Sequence, residues 1–395
     1  MRTEQTFTPL RRIVLCSLCL LLFTAVDALG QQYGNVVLWV EREVAIPFGE
    51  ITLYGVLSLP VSEGPHPAIA IITGAAGTEG RAGVSSRMHI DHAHRFAVQG
   101  FACLRYDPPG VGRSSGARGH DTLEARAEEA LAVARFLQEQ PDIKAGHVGL
   151  WGVSQGGWVI AMAASDAPET IAFLIMASGT TVSAAEQQVF GVEMQSRAAG
   201  IVDDDLVKAV LVSRLLIDWQ VPRSVFEDSN RADLLKLEDG PWTELAAIVY
   251  GSDALTMDVE LARVIAILEA MSGEPWAVSL HLPDIYIPSL CRIPPDSAAD
   301  LIDAAAEELL ANPGNYFELV TCPTLALFGE DDVLVPVERS VALLEEYFET
   351  SGNDALTIVV FPEAGHSLND FMPSYWEAVH SWLEALHENW ASEHD

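Results

Sequence analysis

Three short stretches of the chain pair a chemically useful side chain with residues able to hold it in place. The stretch W-G-V-S-Q-G-G, residues 151–157, sets Ser154 inside G-x-S-x-G. A serine hydroxyl is a weak nucleophile until a base removes its proton. On a sharp strand-to-helix turn it is held, strained, at the exposed end of a sheet, and Gly152 and Gly156 leave room for strand and helix to approach closely. By composition the pattern arises by chance at odds of about one in ten in a chain this long, so it needs partners. The stretch F-G-E-D-D-V-L-V-P, residues 328–336, puts acids after an apolar strand. Asp332 fits best as the carboxylate that orients a base, given its gaps to Gly329 and Pro336, with Asp331 and Glu330 as close competitors. The stretch F-P-E-A-G-H-S, residues 361–367, carries His366 on a loop after another strand. The chain order is therefore serine, acid, histidine.

These residue types together imply nucleophilic acyl transfer, which also needs donors for a developing oxyanion. The stretch I-I-T-G-A-A-G, residues 71–77, has residues small enough for backbone N–H groups to approach a ligand oxygen. One donor is assigned to the backbone of Ala75 and the other to that of Gln155. No metal or organic cofactor is required by such chemistry. The partner implied is a small-molecule ester or a short acyl or peptide substrate. Two other stretches read as structural. R-Y-D-P-P-G-V-G-R-S, residues 105–114, is a rigid turn around Asp107 that shapes the edge of a site. H-I-D-H-A-H, residues 89–94, suggests a metal at first, but only His89 and His92 share a helical face, so a partly exposed helix is expected.

The elements that would position these residues are legible as periodicities. Residues 36–60 alternate around Pro47-Phe48-Gly49 and predict an antiparallel hairpin. Apolar runs at 68–72, 101–106, 147–152, 171–176, 324–328 and 356–361 suit strands buried on both faces. Helical spacing at 122–139, 337–348 and 374–388 lies between them. Such alternation implies a mostly parallel sheet with helices on both faces. It stops between 180 and 318, where the pattern is helical (232–237 and 259–271) apart from a Pro-rich loop at 281–296. The expected organisation is a core at 36–179 and 319–390, with 180–318 as an inserted helical lid.

Residues 1–30 read as an export signal: Arg11 and Arg12 precede an apolar run from Ile13 to Val26 that is short for a membrane span. The mature chain is then exported, periplasmic or extracellular, with no stable membrane insertion; an uncleaved anchor is the alternative. The chain is 49 % hydrophobic, rich enough for a large core, which excludes disorder. A formal charge of −34 excludes nucleic acid as a partner. Cys103, Cys291 and Cys322 cannot make a disulfide framework, and their apolar neighbours suggest free buried thiols, although a Cys291–Cys322 bridge is conceivable. Oligomeric state has no signature in the sequence.

Taken together, the residues from about 43 to 388 resemble the α/β-hydrolase superfamily, and most closely exported bacterial hydrolases of the serine-aminopeptidase-like and acyl-esterase group. The resemblance is carried by E-V-A-I-P-F-G-E-I-T-L-Y-G-V-L-S-L-P, G-P-H-P-A-I-A-I-I-T-G and R-Y-D-P-P-G-V-G-R-S, and is weakest across the insertion. It implies an eight-stranded, mostly parallel sheet, a triad of Ser154, Asp332 and His366, and oxyanion donors at Ala75 and Gln155. The chain departs from the family at 75–77, where Ala-Ala-Gly replaces a more usual Ser-Gly pattern; only backbone is needed there. Carboxylic ester cleavage is the leading expectation. The rivals are a peptidase, whose lid would offer a carboxylate from Asp203, Asp204, Asp205, Glu244, Asp284 or Asp296 to a free amine, a thioesterase, and a non-catalytic binding protein.

Overall fold

The computed structural model describes residues 32–33, 36–75, 83–117, 122–221, 224–251, 256–294, 306, 309–368 and 372–392. The proposed export segment, Ala76, Gly77 and Asp296 lie outside these residues. Strands β1 (Trp39–Phe48) and β2 (Ile51–Pro60) form the expected hairpin. Its turn falls at Gly49-Glu50 rather than Pro47-Phe48-Gly49: Pro47 stays in β1, facing Thr52. As an edge strand, β1 tolerates the N–H that proline lacks.

Strands β3 (His66–Ile72), β4 (Ala102–Tyr106), β5 (Ile143–Val153), β6 (Leu174–Ala177), β7 (Thr324–Gly329) and β8 (Leu356–Phe361) complete an eight-stranded sheet. The order is β8-β7-β6-β5-β3-β4-β2-β1. Within this sheet only β1 with β2 and β2 with β4 pair antiparallel. Strands β3 to β7 are buried along nearly their whole length, which explains their unbroken apolar runs.

Helix α1 (Arg87–Val98) follows β3, α2 (Leu123–Gln138) follows β4, and α3 (Gly156–Asp166) follows β5. Among the described residues the chain between β6 and β7 forms helices and no strand. The longer ones are α4 (Ala184–Ala198), α5 (Asp203–Gln220), α6 (Glu227–Leu234), α7 (Pro241–Tyr250) and α8 (Met257–Met271). Helix α6 stops before Leu235, so the second half of the 232–237 run lies outside it and Leu235 is exposed. The Pro-rich stretch is not an open loop: Leu282–Tyr286 and Ile287–Leu290 are helical turns. Pro283 and Pro288 sit in their first turns, where no backbone N–H is required. The insertion buries a core of its own that includes Leu215, Leu216, Trp219, Leu245, Leu268 and Trp276. It meets the rest of the molecule where Thr181 Oγ1 donates to the Ser340 carbonyl at 2.6 Å and Gln187 Nε2 to the Leu334 carbonyl at 3.3 Å.

Helices α9 (Val337–Ser351) and α10 (Met372–Ser392) follow β7 and β8. Side chains along β3 alternate between two cores. Ala68, Ala70 and Ile72 face the helices α2, α3 and α9, while Ile69 and Ile71 face α1 and α10. Cys103 and Cys322 are buried free thiols, and Cys291 is free but exposed. Leu290 and Ile293 pack on the insertion's core, and Cys291, between them, falls outward.

Candidate active site

Strand register brings the chemically marked loops to one edge. Ile72 faces Gly152, Val153 faces Ala177, Ala177 faces Leu327, and Gly329 faces Phe361. The residues after these positions therefore emerge side by side at the carboxyl ends of the parallel strands. In open α/β sheets this edge is where ligands bind.

Ser154 is the first residue past β5 and has φ of +54°. That left-handed conformation costs a non-glycine residue about 1–3 kcal/mol and persists only where the surroundings impose it. The surroundings here are specific. The Ser154 N–H donates to the Ala177 carbonyl at 2.9 Å, and the Gly157 N–H donates to the Ser154 carbonyl at 2.8 Å. A Cβ on Gly152 would lie 2.4 Å from the Gly156 carbonyl oxygen, and one on Gly156 would lie 2.7 Å from that of Thr73. Strand, turn and helix thus close to a spacing that only glycine permits.

Asp332 lies just past β7, and its side chain is fully buried. Its Oδ1 accepts from the Leu334 and Val335 N–H groups at 2.8 and 3.0 Å, which fixes the carboxylate. Its Oδ2 faces His366 Nδ1 at 2.8 Å. A carboxylate there assigns the Nδ1 proton to the imidazole and leaves Nε2 as the basic nitrogen. The competing acids Glu330 and Asp331 are exposed, and the Asp331 backbone N–H donates to the Ala364 carbonyl at 2.8 Å. Ser154 and His366 are tied through neighbouring residues: Ala177 accepts from Ser154, and Ser178 Oγ donates to the His366 carbonyl at 2.9 Å.

Of the oxyanion candidates, Ala75 is exposed in the loop after β3. A Cβ on the preceding Gly74 would come within 3.4 Å of Ser154 Cβ, so this loop lies against the serine turn. Gln155 opens α3, and its backbone N–H has no acceptor among the described residues.

Three features had little or no signal in the sequence. Ser178 and Glu363 share the positive φ of Ser154, at +48° and +59°, so three strained non-glycine residues cluster at this edge. Arg126, on α2, spans the serine turn and the loop after β3. Its only mark in the sequence is a cation between Leu123 and Ala130 on the buried face of an amphipathic helix. The third is the fate of the histidine stretch. Buried His92 holds the Met88 carbonyl at 2.8 Å through Nδ1, so its Nε2 accepts from the Tyr375 hydroxyl at 3.1 Å. Tyr375 accepts in turn from Trp151 Nε1 at 2.9 Å. Burial pushes the His89 and His92 imidazoles down, to about 4 and about 3. His94 turns the other way, stacking on Trp39 and bonding Glu41 at 2.7 Å. The helix is exposed on one face, while these two histidines belong to its buried face. Asp107 is also buried and accepts from the Val84 and Arg113 N–H groups, both at 2.9 Å, which makes it the anchor of its turn.

The acidic residues of the insertion are engaged locally. Asp203, Asp204 and Asp205 form the first turn of α5, where negative charge suits the helix dipole. Asp205 pairs with Lys208 at 2.7 Å, Glu244 with Arg263 at 3.5 Å, and Asp284 with His281 at 3.3 Å.

Residues 49–241 match the model of the S15 family, X-Pro dipeptidyl-peptidase. An uncharacterized 31.7 kDa protein of Escherichia coli, from the traX-finO intergenic region, is 31 % identical over 111 residues, 28 % of this chain and 37 % of that protein. The polyketide transferase grgF of a Penicillium species is 36 % identical over 77 residues, 19 % of this chain and 26 % of that protein. The chain thus spans well under half the length of the curated relatives it matches. The crystal structure of the Penicillium α/β hydrolase GrgF aligns with 87 % of this chain and 98 % of its own, at 18 % identity and a TM-score of 0.49. With its strand order, its strained turn at Ser154 and its match over 49–241 to a peptidase family, the chain has the α/β-hydrolase fold.

Proposed function

We propose that the chain is a serine hydrolase that cleaves carboxylic esters through an acyl-enzyme. The observation that carries this reading is the bond from the buried Asp332 carboxylate to His366, at the same sheet edge as a Ser154 held at positive φ. In the reaction His366 Nε2 removes the Ser154 Oγ proton as the oxygen attacks the ester carbonyl. Asp332 holds the imidazole in the required tautomer and stabilises the imidazolium that forms. The Ala75 and Gln155 N–H groups receive the oxyanion, a contribution of about 3 kcal/mol per donor. His366 then protonates the leaving alcohol, and the same residues activate water to release the acid. The helical insertion serves as the lid and sets which acyl groups enter.

The second reading is a peptidase acting on short peptides, favoured by the family match over 49–241. The two separate on substrate. Hydrolysis of p-nitrophenyl acetate and butyrate at kcat/KM well above that of X-Pro p-nitroanilides supports the esterase. The reverse order makes the peptidase the activity, with the same three residues. A thioesterase acting on coenzyme A esters fits less well, because an acidic protein repels that polyanion. Export with cleavage of residues 1–30 belongs to the same proposal; a mature protein that N-terminal sequencing shows to begin at Met1 would remove the cleavage.

A further inference from the structure

Arg126 reaches two loops at once. One guanidinium nitrogen donates to Gln155 Oε1 at 2.6 Å. The other donates to the Thr73 and Gly74 carbonyls at 2.6 and 2.9 Å, with Thr73 Oγ1 at 3.4 Å. The second carbonyl matters most. The peptide unit that joins Gly74 to Ala75 is planar, and when it is trans its C=O and N–H point in opposite directions. Holding the Gly74 oxygen against the guanidinium therefore turns the Ala75 N–H away from it. Charge on the acceptor side also polarises the unit and makes its N–H a stronger donor. On the other loop, the side chain of Gln155 is pinned by the same group, so the residue that supplies the second N–H cannot swing. Glu129, one turn along α2, is buried as well; burial and the Glu129 carboxylate push the Tyr106 hydroxyl well up, against the pull of the Arg126 charge.

We propose that Arg126 is a positioning residue for the oxyanion donors, acting through the Gly74–Ala75 peptide unit and the Gln155 side chain. The proposal rests on the acyl-transfer reading of Ser154. A planar fork suits three acceptors on two loops, and a lysine ammonium does not reproduce it. Preorganised donors act on the transition state and hardly on the ground state, so the effect falls on kcat.

The test measures p-nitrophenyl butyrate hydrolysis by Arg126→Gln, Arg126→Lys and Arg126→Gly, together with inhibition by an alkyl boronic acid, whose serine adduct carries an oxyanion-like oxygen. In Arg126→Gln and Arg126→Lys, kcat falls about 100-fold while KM stays within about threefold, and boronate affinity weakens in step with kcat. Added methylguanidinium restores part of kcat in Arg126→Gly, which a fold-maintaining role would not allow. A kcat within about threefold of wild type in Arg126→Gln overturns the proposal, as does a loss carried by KM with boronate affinity unchanged. Should the glutamine variant fail to fold, the lysine variant and the rescue decide. Wild-type-like turnover by Ser154→Ala would instead remove the underlying reading, whereas an inactive Ser154→Ala beside an active Arg126→Gln overturns the role of Arg126 alone.

Discussion

His366 holds a hydrogen bond that leaves one of its ring nitrogens free for proton transfer, and Asp332 decides which one. Its carboxylate accepts two backbone N–H groups and faces Nδ1 at 2.8 Å. Replacing Asp332 by Asn presents an amide that can donate to Nδ1 and so stabilise the wrong tautomer. Asp332→Asn should lower kcat about 10⁴-fold with the fold intact, measured by ester hydrolysis beside circular dichroism. A loss under tenfold would mean that Asp332 is not the orienting acid. Ser154 makes a complementary prediction, because its φ of +54° is strained for serine. Ser154→Gly should be inactive yet more stable by about 1 kcal/mol, read as a raised urea midpoint. An unchanged or lowered midpoint would argue that the turn is relaxed.

At the scale of elements, function depends on how closely β5, its turn and α3 approach β3. Gly156→Ala places a methyl 2.7 Å from the Thr73 carbonyl oxygen and 2.9 Å from that of Ile72. Backbone cannot yield as a flexible side chain can, so the variant should lose about 1–3 kcal/mol in thermal or urea unfolding and most of its turnover. Full stability with full activity would contradict the tight elbow. The sequence made much of this readable. Apolar runs marked β3 to β7, because those strands are covered on both faces, whereas the run at 356–361 forms the edge strand β8 and is buried only at Phe361. Spacing within F-G-E-D-D-V-L-V-P favoured Asp332 over its neighbours, and the structure gives Asp332 the bond to His366. Other features were hidden. Helix ends inside the insertion depend on tertiary packing, so α6 stops within an apparently continuous run. Pro283 and Pro288 read as breakers, although a first helical turn accepts them. Positive φ at Ser178 is imposed by neighbours distant in sequence, such as Leu327, whose carbonyl accepts from the Ser178 N–H. Arg126 acts on residues 53 and 29 positions away, which no local pattern records.

Across the whole molecule, the buried histidines couple folding to pH. Folded His89 and His92 stay neutral down to about 4 and about 3, whereas an unfolded histidine is protonated below about 6.5. Between these limits the unfolded chain binds protons that the folded chain excludes. Stability from these groups is complete above about pH 6.5 and falls as pH drops, by up to about 1.4 kcal/mol per pH unit for each histidine. Carboxylates act lower. Burial pulls Glu41 up, but hydrogen bonds and charge from His94 and Arg105 outweigh it and hold Glu41 at about 2. Comparing urea unfolding at about pH 6.5 and about pH 5 therefore isolates the histidines. His92→Gln should lose about 1.6 kcal/mol less than wild type over that interval, and equal losses would contradict neutral burial of His92. Among the described residues no helix is long and apolar enough to cross a membrane. The formal charge of −34 repels polyanions.

The proposed function stands on Ser154 as the nucleophile of an acyl-transfer reaction. Its most direct test is mass-spectrometric mapping of the residue modified by a fluorophosphonate, with ester hydrolysis followed in the same sample. One equivalent should attach to Ser154 Oγ as turnover disappears, and Ser154→Ala should take up no label. A stoichiometric adduct on another residue, or full turnover in protein labelled at Ser154, would contradict the account.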